Sequence, residues 1–218
     1  MIIAIDGPAA SGKSTTAKKV AHQLSFIYLD TGAMYRAVTL AVLNTGIDPN
    51  VEGDLRGVLQ NLKISVEESD GESKTFLNGN DVSEEIRRTE VTDHVSAVSA
   101  LPLVREEMVT IQRRIADGKD AVVEGRDIGT VVFPEADFKF YISASYEVRG
   151  ERRGLDLKKL GIELSKEELI KDLKRRDGID SGRIHSPLTR ADDAILVDTT
   201  DLTFEEQVAF IVEKVRNS

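Results

Sequence analysis

The sequence predicts an α/β fold, a parallel five-stranded sheet covered by helices on both faces, with a small antiparallel β insert. Three observations lead there. Five short apolar segments of the kind buried on both faces alternate with stretches of helical spacing. The first segment runs directly into a glycine-rich turn that opens a helix. Between residues 62 and 79 the pattern instead alternates with period two and carries two hairpin-turn signals.

Taken in order, Ile2, Ile3 and Ile5 form a strand that ends at Asp6. Gly7-Pro-Ala-Ala-Ser-Gly12 breaks the pattern, and from Lys13 the apolar positions Ala17, Val20, Ala21 and Leu24 fall on one helical face. Phe26–Asp30 is the second buried strand, followed by a helix from about Gly32 to Leu43. Leu62–Glu67 and Lys74–Leu77 alternate as strands, with turns at Asp70-Gly71 and Asn78-Gly79. Pro102 suits the first position of a helix whose stripe is Val104, Met108, Ile111 and Ile115, and Asp117-Gly118 stops it. Ala121–Glu124, Phe138–Ile142 and Ala194–Asp198 are three further strands. Ser165-x-x-Glu168 and Thr203-x-x-Glu206 are capping boxes that open the last two helices. Gly178–Arg190 is polar and rich in Gly, Ser and Arg, and is expected to be a long functional loop.

Composition bounds the function. The chain of 218 residues carries 29 Lys plus Arg against 38 Asp plus Glu, a net charge of −9, which argues against non-specific nucleic-acid binding. It has no cysteine, so disulfides, zinc–thiolate sites and thiol nucleophiles are excluded. No apolar run approaches the roughly 18 residues of a membrane span, and the first residues lack a basic, cleavable leader. The expectation is a cytoplasmic protein of one large domain, with room for subdomains inserted into it, and without nucleic-acid or membrane partners.

Gly7-x-x-x-x-Gly12-Lys13-Ser14 matches the P-loop pattern and lies between a predicted strand and a predicted helix, the context that pattern requires. Successive backbone N–H groups and a helix N-terminus there favour an anion. Lys13 would reach the β- and γ-phosphates of a nucleoside triphosphate, and the Ser14 hydroxyl would meet Mg²⁺. The core is therefore expected to be of the P-loop NTPase type. A GTPase switch would need Asp-x-x-Gly after its third strand and Asn-Lys-x-Asp for guanine, and neither occurs. Instead Arg36, Arg105, Arg126, Arg149, Arg152, Arg153, Arg176, Arg183 and Arg190 fall in polar loops or at helix ends. Cations so placed suit phosphoryl transfer, in which charge spreads over equatorial oxygens.

Four segments in order, Asp6-Gly-Pro-x-x-Ser-Gly-Lys-Ser-Thr15, Asp30-Thr-Gly-Ala-Met-Tyr-Arg36, Gly125-Arg-Asp-Ile-Gly-Thr-Val-Val-Phe-Pro134, and Arg176-Asp-x-x-Asp-Ser-x-Arg183 with Ser186-Pro-Leu188, resemble the bacterial cytidylate kinases along essentially the whole chain. The resemblance implies transfer of the γ-phosphate of ATP to CMP or dCMP with Mg²⁺, by a monomer. It also implies a helical lid and the strand order 2-3-1-4-5. The implied division is a core of residues 1–60, 95–145 and 190–218, a monophosphate-binding insert at 61–94, and a lid region at 146–189.

For the site, the resemblance implies ATP contacts from Gly7, Pro8, Ala9, Ala10, Ser11, Gly12, Lys13, Ser14 and Thr15. It implies CMP contacts from Thr31, Tyr35, Arg36, Ser96, Arg105, Gly125, Arg126, Asp127, Arg176, Asp180 and Arg183. Among these, Asp127 and Ser96 would meet the cytosine amine and Arg105 its N3 and O2. Arg36 and Arg126 would hold the monophosphate, and Arg176 and Asp180 the sugar. Lys13, Arg126, Arg183, Arg149 and Arg152 would act on the phosphate in transit, the last two with Arg153 as lid arginines. Ser14 would bind Mg²⁺ together with phosphate oxygens, with Asp30 as a partner through water. Where the family often has Ser, this chain has Thr31, which also offers a hydroxyl.

Uracil reverses the polarity at N3 and C4, so a hydrogen-bonding site of this kind would reject it. The rival readings are kinases of UMP, AMP or shikimate on the same core, or a regulator that binds ATP without turnover. Taken alone, Asp127 also suits an ion pair, Ser96 a surface serine and Tyr35 packing. His22, His94 and His185 suit solvated or core positions, and Lys171–Arg176 a solvated helix face.

Overall fold

The computed structural model describes residues 1–69, 72–159 and 161–217. The expected turn at Asp70-Gly71 lies outside the described residues. The chain forms two compact units. Unit 1 comprises Met1–Tyr28 with Lys119–Ser218, and unit 2 is Leu29–Gly118.

Along the chain, β1 (Ile2–Asp6) leads through the glycine turn into α1 (Lys13–Leu24), and β2 (Ile27–Asp30) follows. Unit 2 then contributes α2 (Thr31–Thr45), α3 (Glu52–Gln60), β3 (Ile64–Ser69), β4 (Glu72–Leu77) and β5 (Asn80–Asp81). A 3₁₀ turn at Glu85–Arg87, α4 (Thr89–Val98) and α5 (Pro102–Ala116) complete it. Unit 1 resumes with β6 (Ala121–Gly125), a π-turn at Ile128–Val132 and β7 (Phe138–Ser143). It ends with α6 (Tyr146–Lys159), α7 (Lys166–Ser181), β8 (Ile195–Asp198) and α8 (Phe204–Arg216).

The main sheet is five-stranded and parallel in the order β2-β6-β1-β7-β8. Counting only its own strands, this is the expected order 2-3-1-4-5. β1 is central. It pairs with β6 from Ile2↔Ala121 to Asp6↔Gly125, and with β7 from Ile3↔Phe138 to Asp6↔Tyr141. The carboxyl ends of β1 and β6 are therefore level while β7 runs on to Ser143, and open α/β sheets bind ligands outside such ends. Ile3, Ile5, Val122, Phe140 and Ile142 of the sheet are buried with Ala17, Val20 and Ala21 of α1 and Val208, Ile211 and Val212 of α8. At about 1.5–3 kcal/mol for each fully buried aliphatic side chain, this cluster is the main support of unit 1.

In unit 2, β3-β4-β5 form an antiparallel sheet. Its second turn, Asn78-Gly79, has φ of 52° and 84°, the left-handed pair that a two-residue hairpin demands. Met34 and Val38 of α2, Val91 of α4, and Val104, Met108 and Ile111 of α5 are buried there.

Both capping boxes form, with Ser165 and Thr203 each accepting from the amide three residues on. Pro102 is the first residue of its helix. One expectation needs correction, and one helix was missed. The long loop does not begin at Gly178, because α7 continues to Ser181 and buries Leu173 and Asp180. A glycine in a helix costs only about 1 kcal/mol relative to alanine, less than that burial supplies. The helix α3 escaped prediction because it is short, contains Gly53 and Gly57, and buries only Leu55 and Leu59.

Candidate active site

The turn after β1 is shaped by its backbone. Gly7 has φ +155°, and a Cβ there would lie 2.1 Å from the Ile142 carbonyl oxygen, so only glycine fits. Ala10 at φ 58° and Gly12 at φ 93° bend the chain into a cradle before α1 begins. The first helical bond runs from the Thr16 amide to the Gly12 carbonyl, so the amides of Lys13, Ser14 and Thr15 precede the helical ladder, where backbone donors favour an anion. Pro8 and the buried Ala9 and Ser11 line the turn, and the Ser14 hydroxyl is exposed at the helix start.

Lys13 is largely buried, with Nζ 3.7 Å from Glu124 Oε2. Glu124 Oε1 accepts from the Tyr28 hydroxyl at 2.7 Å. This ion pair restricts the Lys13 side chain before phosphate arrives, which lowers the entropy cost of ordering it there.

Two arginines of α6 grip the loop from its carbonyl side. Arg149 Nε donates to the Ala9 carbonyl at 2.7 Å, while Nη1 and Nη2 form a bidentate pair with Asp177 at 2.6 and 2.8 Å. Arg152 Nη1 donates to the Ser11 carbonyl at 2.8 Å and to Thr199 Oγ1 at 3.0 Å, and Nη2 to the Thr199 carbonyl at 3.0 Å. Burial holds the Arg152 guanidinium below its ordinary range. The Ala9 and Ser11 carbonyls are thus held by these cations.

A second group surrounds Asp180. Arg126 Nε donates to Asp180 Oδ2 at 2.9 Å and Arg183 Nη2 to Oδ1 at 2.6 Å. Burial alone would raise the Asp180 carboxyl, but Arg126, Arg183 and Arg176 together hold it below its usual range. Arg176 is itself lowered, first by burial and then by the charges of Arg126 and Arg153. Three guanidinium groups about one carboxylate leave an excess of positive charge, suited to a phosphate. Gly125 ends β6 just before Arg126, and Asp127 follows, 3% exposed.

In unit 2, Asp30 caps α2 by accepting from the Ala33 amide at 2.8 Å, and its Oδ2 lies 3.5 Å from Arg36 Nη2. Thr31 is buried at the first turn of the same helix, and Tyr35 one turn on lies under the Arg105 guanidinium, 5.1 Å from the ring centre. Arg105 is buried and donates to the Ser99 carbonyl at 3.3 Å. Ser96 is half-buried on α4. His22, His94 and His185 are all exposed.

Sequence reasoning assigned no role to Asp6, Glu124, Asp177 or Thr199. A signal existed for the first two. Asp6 and Glu124 are acids at the end of otherwise apolar strands, where a buried charge requires a partner. Asp177 stands as a named position of the Arg176-Asp-x-x-Asp motif but was given no partner, and no signal marks Thr199; their partners lie 28 and 47 residues away.

A phosphate-binding turn between the first strand and first helix of such a sheet, with a lysine at the helix start, defines a P-loop protein of the kinase type. Solved structures share the fold: a shikimate kinase from Bacteroides thetaiotaomicron, with a TM-score of 0.50 and 11% identity over 99% of this chain and 98% of that one. An uncharacterized protein from Eubacterium ventriosum gives a TM-score of 0.53 and 12% identity over 100% and 99%. The cytidylate kinase family matches residues 3–217, and the chain belongs to that family. Cytidylate kinases from Caldanaerobacter subterraneus subsp. tengcongensis and Lactobacillus johnsonii are 53% and 47% identical to it, each over 99% of this chain and 95% and 94% of the relative.

Proposed function

We propose that the chain transfers the γ-phosphate of ATP to CMP or dCMP, giving ADP and CDP or dCDP. The observation that carries this reading is the presence in unit 1 of both a phosphate cradle ending in Lys13 and an arginine-rich cluster that leads directly into Asp127.

In the proposed mechanism the loop residues Gly7 to Thr15 hold the ATP phosphates through backbone amides, and Lys13 neutralises the β- and γ-oxygens. An oxygen of the CMP phosphate attacks the γ-phosphorus in line as the bond to the β–γ bridging oxygen breaks. Phosphate monoesters ionise near neutral pH, so no general base is needed. Arg126 and Arg183 stabilise the charge on the phosphate in transit. Arg149 and Arg152 add positive charge at the loop while holding its carbonyls.

Of unit 1, Asp127 would accept from the cytosine amine, and Arg176 and Asp180 would contact the sugar. Asp180 would accept from the 3′-hydroxyl, which dCMP retains. Of unit 2, Ser96 and Arg105 would contact the base and Arg36 the monophosphate, with Thr31 and Tyr35 beside it. Residues 146–189 would act as the lid that excludes water, and 61–94 as the insert.

The described residues contain no cluster of acidic, histidine or cysteine side chains able to cage a metal. The exposed Ser14 hydroxyl nevertheless fits Mg²⁺, which favours hard oxygen donors and keeps most of its shell as water and phosphate. When bound, Mg²⁺ would supply Lewis-acid stabilisation of the phosphate oxygens. Asp30 is already committed as the cap of α2, so a role through water would use the same carboxylate.

No helix among the described residues is long and apolar enough to cross a membrane. A cytoplasmic monomer with no nucleic-acid or membrane partner is part of the proposal.

The test is ADP release with ATP and Mg²⁺ on adding CMP, dCMP, UMP, AMP or shikimate singly. Turnover with CMP and dCMP that far exceeds UMP supports the assignment. Equal rates with UMP would remove Asp127 from base selection, and silence with all five would leave only nucleotide binding.

A further inference from the structure

Asp6 has no part in the transfer described above, yet its carboxylate is buried at the carboxyl end of the central strand. In register it lies between Gly125 of β6 and Tyr141 of β7, where the chain leaves β6. Its Oδ1 accepts the Ile128 amide at 2.8 Å, and its Oδ2 accepts the Gly129 amide at 2.8 Å. Two donors on two oxygens suit a carboxylate. Asparagine has the same shape but one acceptor oxygen, so its NH₂ would oppose one of the two amides.

These bonds act on the residue just before them. The Asp127 carbonyl accepts from the Val131 and Val132 amides at 2.9 and 3.2 Å, closing the π-turn. The peptide plane that joins Asp127 to Ile128 is therefore held at its carbonyl by the turn and at its N–H by Asp6. With that plane held and Asp127 at φ −144°, ψ 27°, the direction of its Cα–Cβ bond is set. On the other side, Arg126 is tied to Asp180. Gly129 approaches closely enough that a Cβ there would lie 3.5 Å from Asp6 Oδ2 and 3.1 Å from Lys139 Cδ. Burial, with the charge of Asp127 adding to it, pushes the Asp6 carboxyl up to about 6, while the two amides and Arg126 pull it down. The chain thus carries a charge at a place where burial disfavours it.

We propose that Asp6 is a positioning residue for base selection, its two amide bonds setting the direction of Asp127 and through it the preference for cytosine over uracil. This rests on the proposed role of Asp127 as acceptor for the cytosine amine.

The test is steady-state kinetics of the full chain and its Asp6→Asn, Asp127→Asn and Asp6→Glu variants with CMP, UMP and ATP varied separately. In Asp6→Asn, kcat/KM for CMP should fall by about 10–100-fold, as expected when a contact group is misplaced by about an ångström. The CMP-to-UMP ratio should fall with it, while KM for ATP stays within about twofold, showing the adjoining phosphate loop intact. Asp6→Glu keeps both acceptor oxygens but moves them outward by one methylene and should lower the ratio by roughly severalfold, which decides the matter if Asp6→Asn does not fold. Collapse of the ratio in Asp127→Asn with no change in Asp6→Asn would overturn the role of Asp6 alone. A general rise in both KM values at constant ratio would do the same, marking Asp6 as a support of the loop. An unchanged ratio in Asp127→Asn would overturn both readings.

Discussion

Two groups of arginines in unit 1 carry the same sequence signal and do different physical work. Arg149 and Arg152 are spent on fixed partners, the Ala9, Ser11 and Thr199 carbonyls and the Asp177 carboxylate. Arg126, Arg176 and Arg183 share the single carboxylate of Asp180. The first group fixes the shape of the phosphate cradle. The second keeps positive charge in excess where an anionic substrate would need it. An arginine in a polar segment therefore does not by itself face a ligand; its partners decide whether its charge is already spent.

The largest expected effect lies in the cradle that the first group shapes. Lys13→Met should lower kcat by about 10³-fold or more, since the lysine charge at the transferring phosphate is lost and Arg149 and Arg152 are already committed to fixed partners. Single-turnover kinetics would show whether the chemical step carries that loss. Next, Arg126→Ala should lower kcat by roughly 10²–10³-fold. Its unfolding free energy should move by less than about 1 kcal/mol, because the partly exposed Arg126 leaves Asp180 still paired with Arg183. Arg149→Lys should reverse that balance, costing about 2–4 kcal/mol by urea unfolding as the buried bidentate pair and the Ala9 bond cannot both be kept. If the two variants lose stability equally, the distinction between the groups fails.

A pH measurement sharpens the picture at Asp6. Its carboxyl is raised from 3.8 to about 6 in the folded chain, so between those values the folded state holds more protons than the unfolded one. Its contribution to stability is therefore greatest below about pH 4 and falls as pH rises through about 6. Relative to Asp6→Asn, the parent chain should lose on the order of 2–3 kcal/mol over that window and change little above pH 7. Parallel curves for the two proteins would mean that Asp6 does not titrate there. The smallest effect belongs to Thr199→Val, which removes a buried hydroxyl that accepts from Arg152 and lies 3.1 Å from the Ser11 carbonyl. It should cost about 1–2 kcal/mol in unfolding and leave the CMP-to-UMP ratio unchanged.

Much of the molecule was legible before any coordinate. The five sheet strands follow from short continuous apolar runs, the insert's strands from a period of two, most of the helices from a period of 3.6, and the two capping boxes from short-range polar patterns. The cradle from Gly7 to Ser14 follows from glycine spacing, because backbone conformation at positive φ is a local property. Local signals also overreached: Gly178 read as the start of a loop, yet burial of Leu173 and Asp180 carries α7 to Ser181.

By itself the sequence determined the chemistry on offer: the lysine at a helix start, the set of arginines, the absence of any thiol, and the order of the motifs. Only the tertiary structure decided which charge meets which. Asp6 reaches Ile128 across 122 positions, and Arg149 reaches Ala9 across 140. Pairings of that range arise from strand order and helix packing, which place level the ends of segments remote in the chain. No local rule of spacing can encode them, since a buried carboxylate reads the same in sequence whether it binds an arginine, two backbone amides or a substrate.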